Sequence, residues 1–310
     1  MTDDLRPITS KNLPDAIRLI NESSEGTSTE YHLDFFSFLN LWRFWNFSLA
    51  HSLIRYIDNE PASIVINCVD PESREAYNFY WGALPKFRTT RSALSLFDAC
   101  CHKLHEDGYL AIHGDSLPER PVRRYRFINA QPGRRLLDLK AQSPRLPAPD
   151  PAIVVKKIDI QAVLPLASAP GQFLHWSQRP AFLRNIAAYT DVLGAFSGDT
   201  LKAYTVVPSH SPDMRMFDLR SPEAAAPAVH ELLRFVSQNY PSPVIARHVL
   251  EESFTHRLLS EAGFEVVRQV CTLHRDLRAT RATKQASEPP PIPRQSGPRA
   301  RARSYPKAAG

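Results

Sequence analysis

The sequence predicts a mixed chain of the α/β (α+β) class, built as two tandem copies of one sheet-and-helix unit. Three observations carry this expectation. Apolar residues recur at helical spacing in some segments and alternate or run together in others, in an order that repeats once. A stretch from Gln142 to Pro151, with prolines at 144, 147, 149 and 151, separates the two copies as an extended linker. Hydrophobic residues make up 43% and aromatics 10% of 310 residues, enough to fill two cores of ordinary size. The expected division is a first domain over 1–141, a linker over 142–151, a second domain over 152–277 and a basic tail over 278–310.

The first copy opens with a short strand, Leu5 to Ile8, and an amphipathic helix around Leu13, Ile17 and Ile20. A hairpin follows: His51 to Asp58, a turn at Asn59, then Ala62 to Val69. Ala76 to Leu84 reads as the fourth strand. Ala93, Phe97, Cys100 and Leu104 then mark one face of a helix. Tyr109 to His113 is a strand, Glu119 to Phe127 a helix, and Arg134 to Leu139 a last strand. The second copy repeats this order. It has Ile153 to Val155, a weaker helix at Val163 and Leu166, and a hairpin of Asp191 to Phe196 and Leu201 to Val207 about Gly198-Asp199. A strand over Met214 to Leu219 precedes a helix marked by Ala225, Val229, Leu232 and Val236. Val244 to Val249, a late helix and Phe264 to Leu273 complete the unit. Between the first helix and the hairpin, Asp34 to Phe47 is crowded with aromatics and reads as a core helix or as packing between the two halves.

Composition narrows the function classes. The tail holds eight basic side chains against one acid. The +6 of the whole chain therefore leaves residues 1–277 close to neutral, and any nucleic-acid affinity would reside in the tail. The tail also lacks an apolar period and is expected to be disordered. No run of about 18 apolar residues is present, and the acidic Met1 to Asp4 leads into no apolar region. A cytoplasmic protein without membrane partners is the expectation. Cys68, Cys100, Cys101 and Cys271 form no Cys-x-x-Cys pair and read as small core residues, so neither disulfides nor a metal are expected.

Two motifs then point to a family. Trp81-Gly82-Ala83-Leu84-Pro85-Lys86-Phe87-Arg88-Thr89-Thr90-Arg91-Ser92-Ala93-Leu94 runs from strand through proline, aromatic and arginine into a helix. Glu252 to Val267 forms a helix with a Gly263-Phe264 junction into a strand. With the order of elements, these resemble the GNAT superfamily, the general-control-type N-acetyltransferases. The family's cofactor turn has the pattern Arg/Gln-x-x-Gly-x-Gly/Ala; Arg88 stands at its first position, Ala93 at its last, and Arg91 where the family has a glycine. The resemblance implies acetyl-CoA, or another acyl-CoA, as co-substrate, held by Ala83, Leu84, Phe87, Arg88, Thr89, Thr90, Arg91, Ser92 and Ala93. Independently of any family, a helix start offers unpaired amides and a positive dipole end that suit phosphate, and Arg88 and Arg91 add charge. Arg91 either obstructs the backbone approach that a glycine would allow or binds a phosphate itself. In the second copy the turn is Leu219-Arg220-Ser221-Pro222-Glu223-Ala224. Its spacing is lost and Glu223 would repel a diphosphate, so that copy is expected to hold no cofactor.

The resemblance implies direct acyl transfer to an amine, on a small molecule or a peptide. An alkylammonium with a pKa near 10.4 must lose a proton before it attacks. His113, at the end of the fifth strand, is the candidate base; Asp70 and Glu72, on the turn before the fourth strand, are lesser ones. Tyr125 is nearest to the family's tyrosine that protonates the leaving thiolate, and otherwise reads as a packing residue. The alternative function is a binding or regulatory protein that keeps the fold without catalysis.

Overall fold

Strand partners separate the observed architecture from a pair of self-contained copies. The computed structural model describes residues 2–26, 30–88, 90–116, 130–167, 174–209, 214–241 and 243–278, with backbone only at 90–93 and 214. The strands are β1 (Asp3–Pro7), β2 (Leu53–Ile57), β3 (Glu60–Asp70), β4 (Glu75–Ala83), β5 (Ala111–Ser116), β6 (Gln131–Ala141), β7 (Ile153–Ile158), β8 (Thr190–Ser197), β9 (Thr200–Pro208), β10 (Met214–Met216), β11 (Asp218–Arg220), β12 (Val244–Leu250) and β13 (Glu265–Asp276). The helices are α1 (Leu13–Ser24), α2 (Phe35–Trp45), α3 (Thr90–Glu106), α4 (Leu164–Ala167), α5 (Pro180–Ile186), α6 (Ala226–Asn239) and α7 (Phe254–Glu261). The helix expected over Glu119 to Phe127 and the basic tail beyond Arg278 lie outside the described residues.

Nine strands form one sheet in the order β1-β2-β3-β4-β5-β13-β6-β12-β10, and β11-β9-β8-β7 form a second. The last strand of the second half thus lies between β5 and β6 of the first. Cys271 to Asp276 pair with Ser116 to Ala111, and Glu265 to His274 pair with Lys140 to Gln131. β6 in turn pairs with β12. The two halves exchange strands, and residues 1–277 form one unit. The strand expected over Met214 to Leu219 is also divided. At Phe217, whose N–H reaches Val206 O (2.9 Å), the chain leaves β12 as partner and joins β9. Phe217 itself is buried.

Local chemistry explains the elements. The β2–β3 hairpin turns through Asp58 and Asn59 at φ of 50° and 63°, the positive pair that two-residue hairpins need. Asp34 caps α2 by accepting from Ser37 N (2.7 Å), and Asn46 closes it at φ 54°. Ser253 caps α7, which ends before Gly263 at φ 82°. The proline-rich segment 142–150 is irregular but fastened to the second half: Arg145 N donates to Ala262 O, and Asp150 N to Glu231 Oε1.

The main core packs α1 and α2 on β3 and β4 and continues without a break into Trp176, Phe182, Leu183 and Phe217 of the second half. The aromatic segment Asp34 to Phe47 joins this interior: Phe44 and Trp45 both contact Phe182, and Trp45 stacks on Tyr77. Alternation along β3 sends Ile64 and Ile66 to this face, while Val65 meets Leu96 and Cys100 of α3 on the other. A second core gathers α6, α7, β8, β9 and β12, together with Leu137 and Leu139 of β6.

Candidate functional site

β4 and β5 run parallel and are paired only from Glu75–Ala111 to Asn78–Gly114. Beyond Asn78 the ladder with β5 ends. A bulge at Phe79 bends β4, since Asn78 faces Asn67 while Tyr80 faces Ile66. Asn78 Nδ2 braces the bend through Asn67 Oδ1 (3.0 Å) and Tyr80 O (3.2 Å). β4 then continues to Ala83 without β5 beside it, and a turn at Pro85–Phe87 leads into α3.

The predicted cofactor residues cluster where β4 ends. Ala83 and Leu84 are buried, and Phe87 packs against the main core. Arg88 is committed to the protein: its Nε donates to Ala83 O (3.1 Å) and its Nη2 to Ser23 O at the end of α1 (3.1 Å). Thr89 lies outside the described residues. Thr90, Arg91, Ser92 and Ala93 form the first turn of the 17-residue α3, described as backbone. In the second half, Glu223 pairs with Lys202, and buried Asp218, at the start of β11, takes up Arg220 and Tyr204.

A cavity of about 500 Å³ lies between the halves, lined by Tyr77, His113 and Asp115 from the first and by His175, Trp176 and Arg179 from the second. His113 Nε2 stands 3.2 Å from Glu75 Oε2 and 3.4 Å from Arg179 Nη2. Glu75 can only accept at Nε2 and Arg179 can only donate to it, so the two contacts call for opposite tautomers of the ring. Burial pushes the His113 pKa down, opposed by Glu75, so the ring is biased toward its neutral form. The hydrogen bond from His113 and the charge of Arg179, which also pairs with Glu75, hold the Glu75 carboxyl at about 2. Asp70 is buried, accepting from Ser73 Oγ and Glu72 N, whereas Glu72 is exposed and paired with Arg184. Tyr125 lies outside the described residues.

Deeper in, five side chains that the sequence reading did not single out form a chain of contacts. Asp115 Oδ2 accepts from Tyr77 Oη (3.0 Å) and lies 3.1 Å from His175 Nε2. His175 Nδ1 lies 2.8 Å from Ser177 Oγ, which is 3.0 Å from His248 Nδ1. The two imidazoles stack at a centroid distance of 3.6 Å. Burial opposes the charge on Asp115, but His175 and Tyr77 outweigh it and its pKa lies below the ordinary carboxylate range. Burial and neighbouring cationic groups push His248 well below 6.5. Tyr77 is raised well above 10 by burial and by Asp115.

No family model matches the sequence, and no curated protein does. Solved structures do match. A tandem GNAT protein from the clavulanic acid biosynthesis pathway superposes with a TM-score of 0.64 at 11% identity, covering 89% of this chain and 99% of the other. A GCN5-related N-acetyltransferase from Sphaerobacter thermophilus gives 0.65 at 13% identity, covering 89% and 96%. One from Kribbella flavida gives 0.61 at 15%, covering 90% and 72%. At these identities the likeness shows the fold: the chain has the GNAT fold, and the match runs through both halves.

Proposed function

We propose that the protein is an N-acyltransferase, moving an acyl group from acyl-CoA to an amine acceptor in the cleft where β4 and β5 part. The observation that carries this reading is the conjunction of three features: the parted strands, the start of α3 beyond the end of β4, and a cavity lined by His113 and carboxylates. Backbone amides in the first turn of α3 suit the diphosphate of the co-substrate, with Arg91 as the added charge. Arg88 serves as a strut for that turn, because its guanidinium is bonded to Ala83 O and Ser23 O.

Acyl-CoA supplies the activated acyl carbon. The acceptor ammonium gives up one proton to the His113 imidazole, directly or through a water, while Glu75 and Arg179 fix the ring. The amine nitrogen then bonds to the acyl carbon, the C–S bond breaks, and the second proton lost from that nitrogen neutralises the departing thiolate. Tyr77 and Trp176, stacked on one another at 5.6 Å, contribute apolar edges to the cavity lining. One observation favours the alternative of a binding protein without catalysis: the arginine at the first motif position is already engaged by protein carbonyls.

Isothermal titration of acetyl-CoA into the full chain, beside Arg91→Glu, tests the reading. Saturable binding that the variant loses, followed by thiol release in the presence of amines, supports it. Absence of binding by acetyl-CoA and by a longer acyl-CoA, with the protein folded, refutes it.

A further inference from the structure

We infer, resting on the acyltransferase reading, that the amine acceptor carries a carboxylate, and that Arg247 and Arg268 hold it beside the parted ends of β4 and β5.

The backbone produces the pair. Pairing of β12 with β6 skips from Ala246 to Val249, so Arg247 and His248 form a bulge, with His248 at φ 52°. Ala246 and Val249 stay in the second core, whereas both bulged side chains reach the opposite face. His248 meets Ser177 there, and Arg247 Nε lies 3.5 Å from Asp138 Oδ2. Arg268, opposite Asp138 in the ladder of β13 with β6, brings Nη1 to 3.8 Å from the same oxygen. It shares its face of β13 with Thr272, which lies opposite Asp115 and lines the cavity.

Two guanidiniums thus face one carboxylate, whose other oxygen accepts from His248 N (2.9 Å). Among the described residues neither arginine makes a hydrogen bond, although their side chains are only 16% and 36% exposed. A purely structural network would bond them as Arg88 is bonded to carbonyls and Arg275 to Asp98. Their planar donor forks and one surplus positive charge remain for a ligand. His248 adds no charge near neutral pH, because burial and its cationic neighbours push it well below 6.5. A single surplus charge matches a carboxylate better than a phosphate dianion.

Tyr31 fixes the place. Its ring stands edge-on to Tyr80 at 5.7 Å and lies 6.5 Å from Phe79, the β4 residues just beyond the last pair with β5. Arg247 and Arg268 both oppose the upward push of burial on the Tyr31 hydroxyl, and Arg268 acts in the same sense on Asp115 and Tyr77. The pair therefore stands at the opening between the strands. Asp115, held by Tyr77 and His175, lines the cavity and offers a counter-charge to the ammonium end of the same molecule.

The test compares matched acceptors on the full chain: L-phenylalanine with phenylethylamine, γ-aminobutanoate with propylamine, and ε-aminohexanoate with pentylamine. Each pair differs by one carboxylate, and the three acids place it at increasing distance from the amine. Thiol release at saturating acetyl-CoA is expected to favour the acid of the best-used pair by at least about 10-fold in kcat/KM. Arg247→Gln and Arg268→Gln are expected to raise KM for that acid about 10–100-fold, with kcat and the plain amine nearly unchanged, and Arg268→Lys to recover part of the loss. Equal or better use of the plain amines in all three pairs, or variants that slow both members alike, overturns the inference and leaves the acyltransferase reading standing. Weaker acetyl-CoA binding in either variant assigns the pair to the co-substrate and overturns it equally. Isothermal titration of the acids separates the opposite case: binding that Arg268→Gln loses, without thiol release from any amine, keeps the carboxylate site and refutes acyl transfer. If the variants unfold, the preference of the unaltered chain within each pair decides.

Discussion

Replacing Leu139 by alanine separates an interlocked pair of halves from two independent domains. Leu139 belongs to the first half by position in the chain, yet its side chain is fully buried in the core built by α6, α7 and β12. Leu→Ala at such a site costs about 2–5 kcal/mol, from lost transfer energy and the cavity left behind. At about 3 kcal/mol, a unit of this size loses roughly 5–10 °C in Tm. Calorimetry is expected to show one cooperative transition displaced by that amount. Hydrogen exchange locates the damage: α6, β12 and α7 lose protection first, although the change lies in β6. Loss of protection confined to α1, β2 and β3, or a shift below about 2 °C, would refute the reasoning that β6 completes the second core.

Other outcomes follow from the same contacts. Tyr204→Phe removes a 2.8 Å bond to the fully buried Asp218 and is expected to destabilise the chain by about 1–3 kcal/mol in denaturant titration. Gly82→Ala would bring a Cβ to 2.4 Å from Ser23 Oγ and 2.8 Å from the Tyr80 ring, forcing α1 off β4; a cost of about 1–3 kcal/mol should appear as a lower Tm. Glu75 titrates at about 2 when folded against an ordinary 4.5, so its contribution is present above pH 4.5 and lost as pH falls toward 2. Melting curves of Glu75→Gln and the unaltered chain should therefore converge over that window, and parallel curves would show that Glu75 adds nothing. A chain ended at Gly263 lacks β13 and exposes the edges of β5 and β6; loss of a cooperative melt is expected, and a near-native melt would contradict the strand exchange.

The legible part of this fold is local. Period 3.6 at Ala93, Phe97, Cys100 and Leu104 gave α3, and the Gly263-Phe264 junction marked the end of α7, because helix faces and caps are properties of neighbouring residues. Strand existence was legible and strand partnership was not. Arg134 to Leu139 and Phe264 to Leu273 carry no mark of pairing with each other, since partners are chosen by the whole sheet. The division at Phe217 likewise depends on a distant carbonyl, Val206 O. The candidate site was legible at His113, which lines the cavity. Alternation on β5 puts Asp115 on the same face two residues later, a signal that was present and passed over. His175 and Ser177 come from a segment without apolar period, and His248 from a bulge that no pattern announces.

The placement of β13 also sets the order in which the molecule can be made. β5 leaves the ribosome with its neighbour still unsynthesised, and roughly 150 residues must follow, about 8–30 s at ordinary elongation rates. For that interval the first sheet has an open border beside the cavity-lining residues His113 and Asp115. Neither the cavity nor its acid–base groups can take final form while the chain is growing. The site is assembled by the late arrival of a strand that contributes little of its own chemistry, and nascent chains are most vulnerable to edge-to-edge association just before it docks.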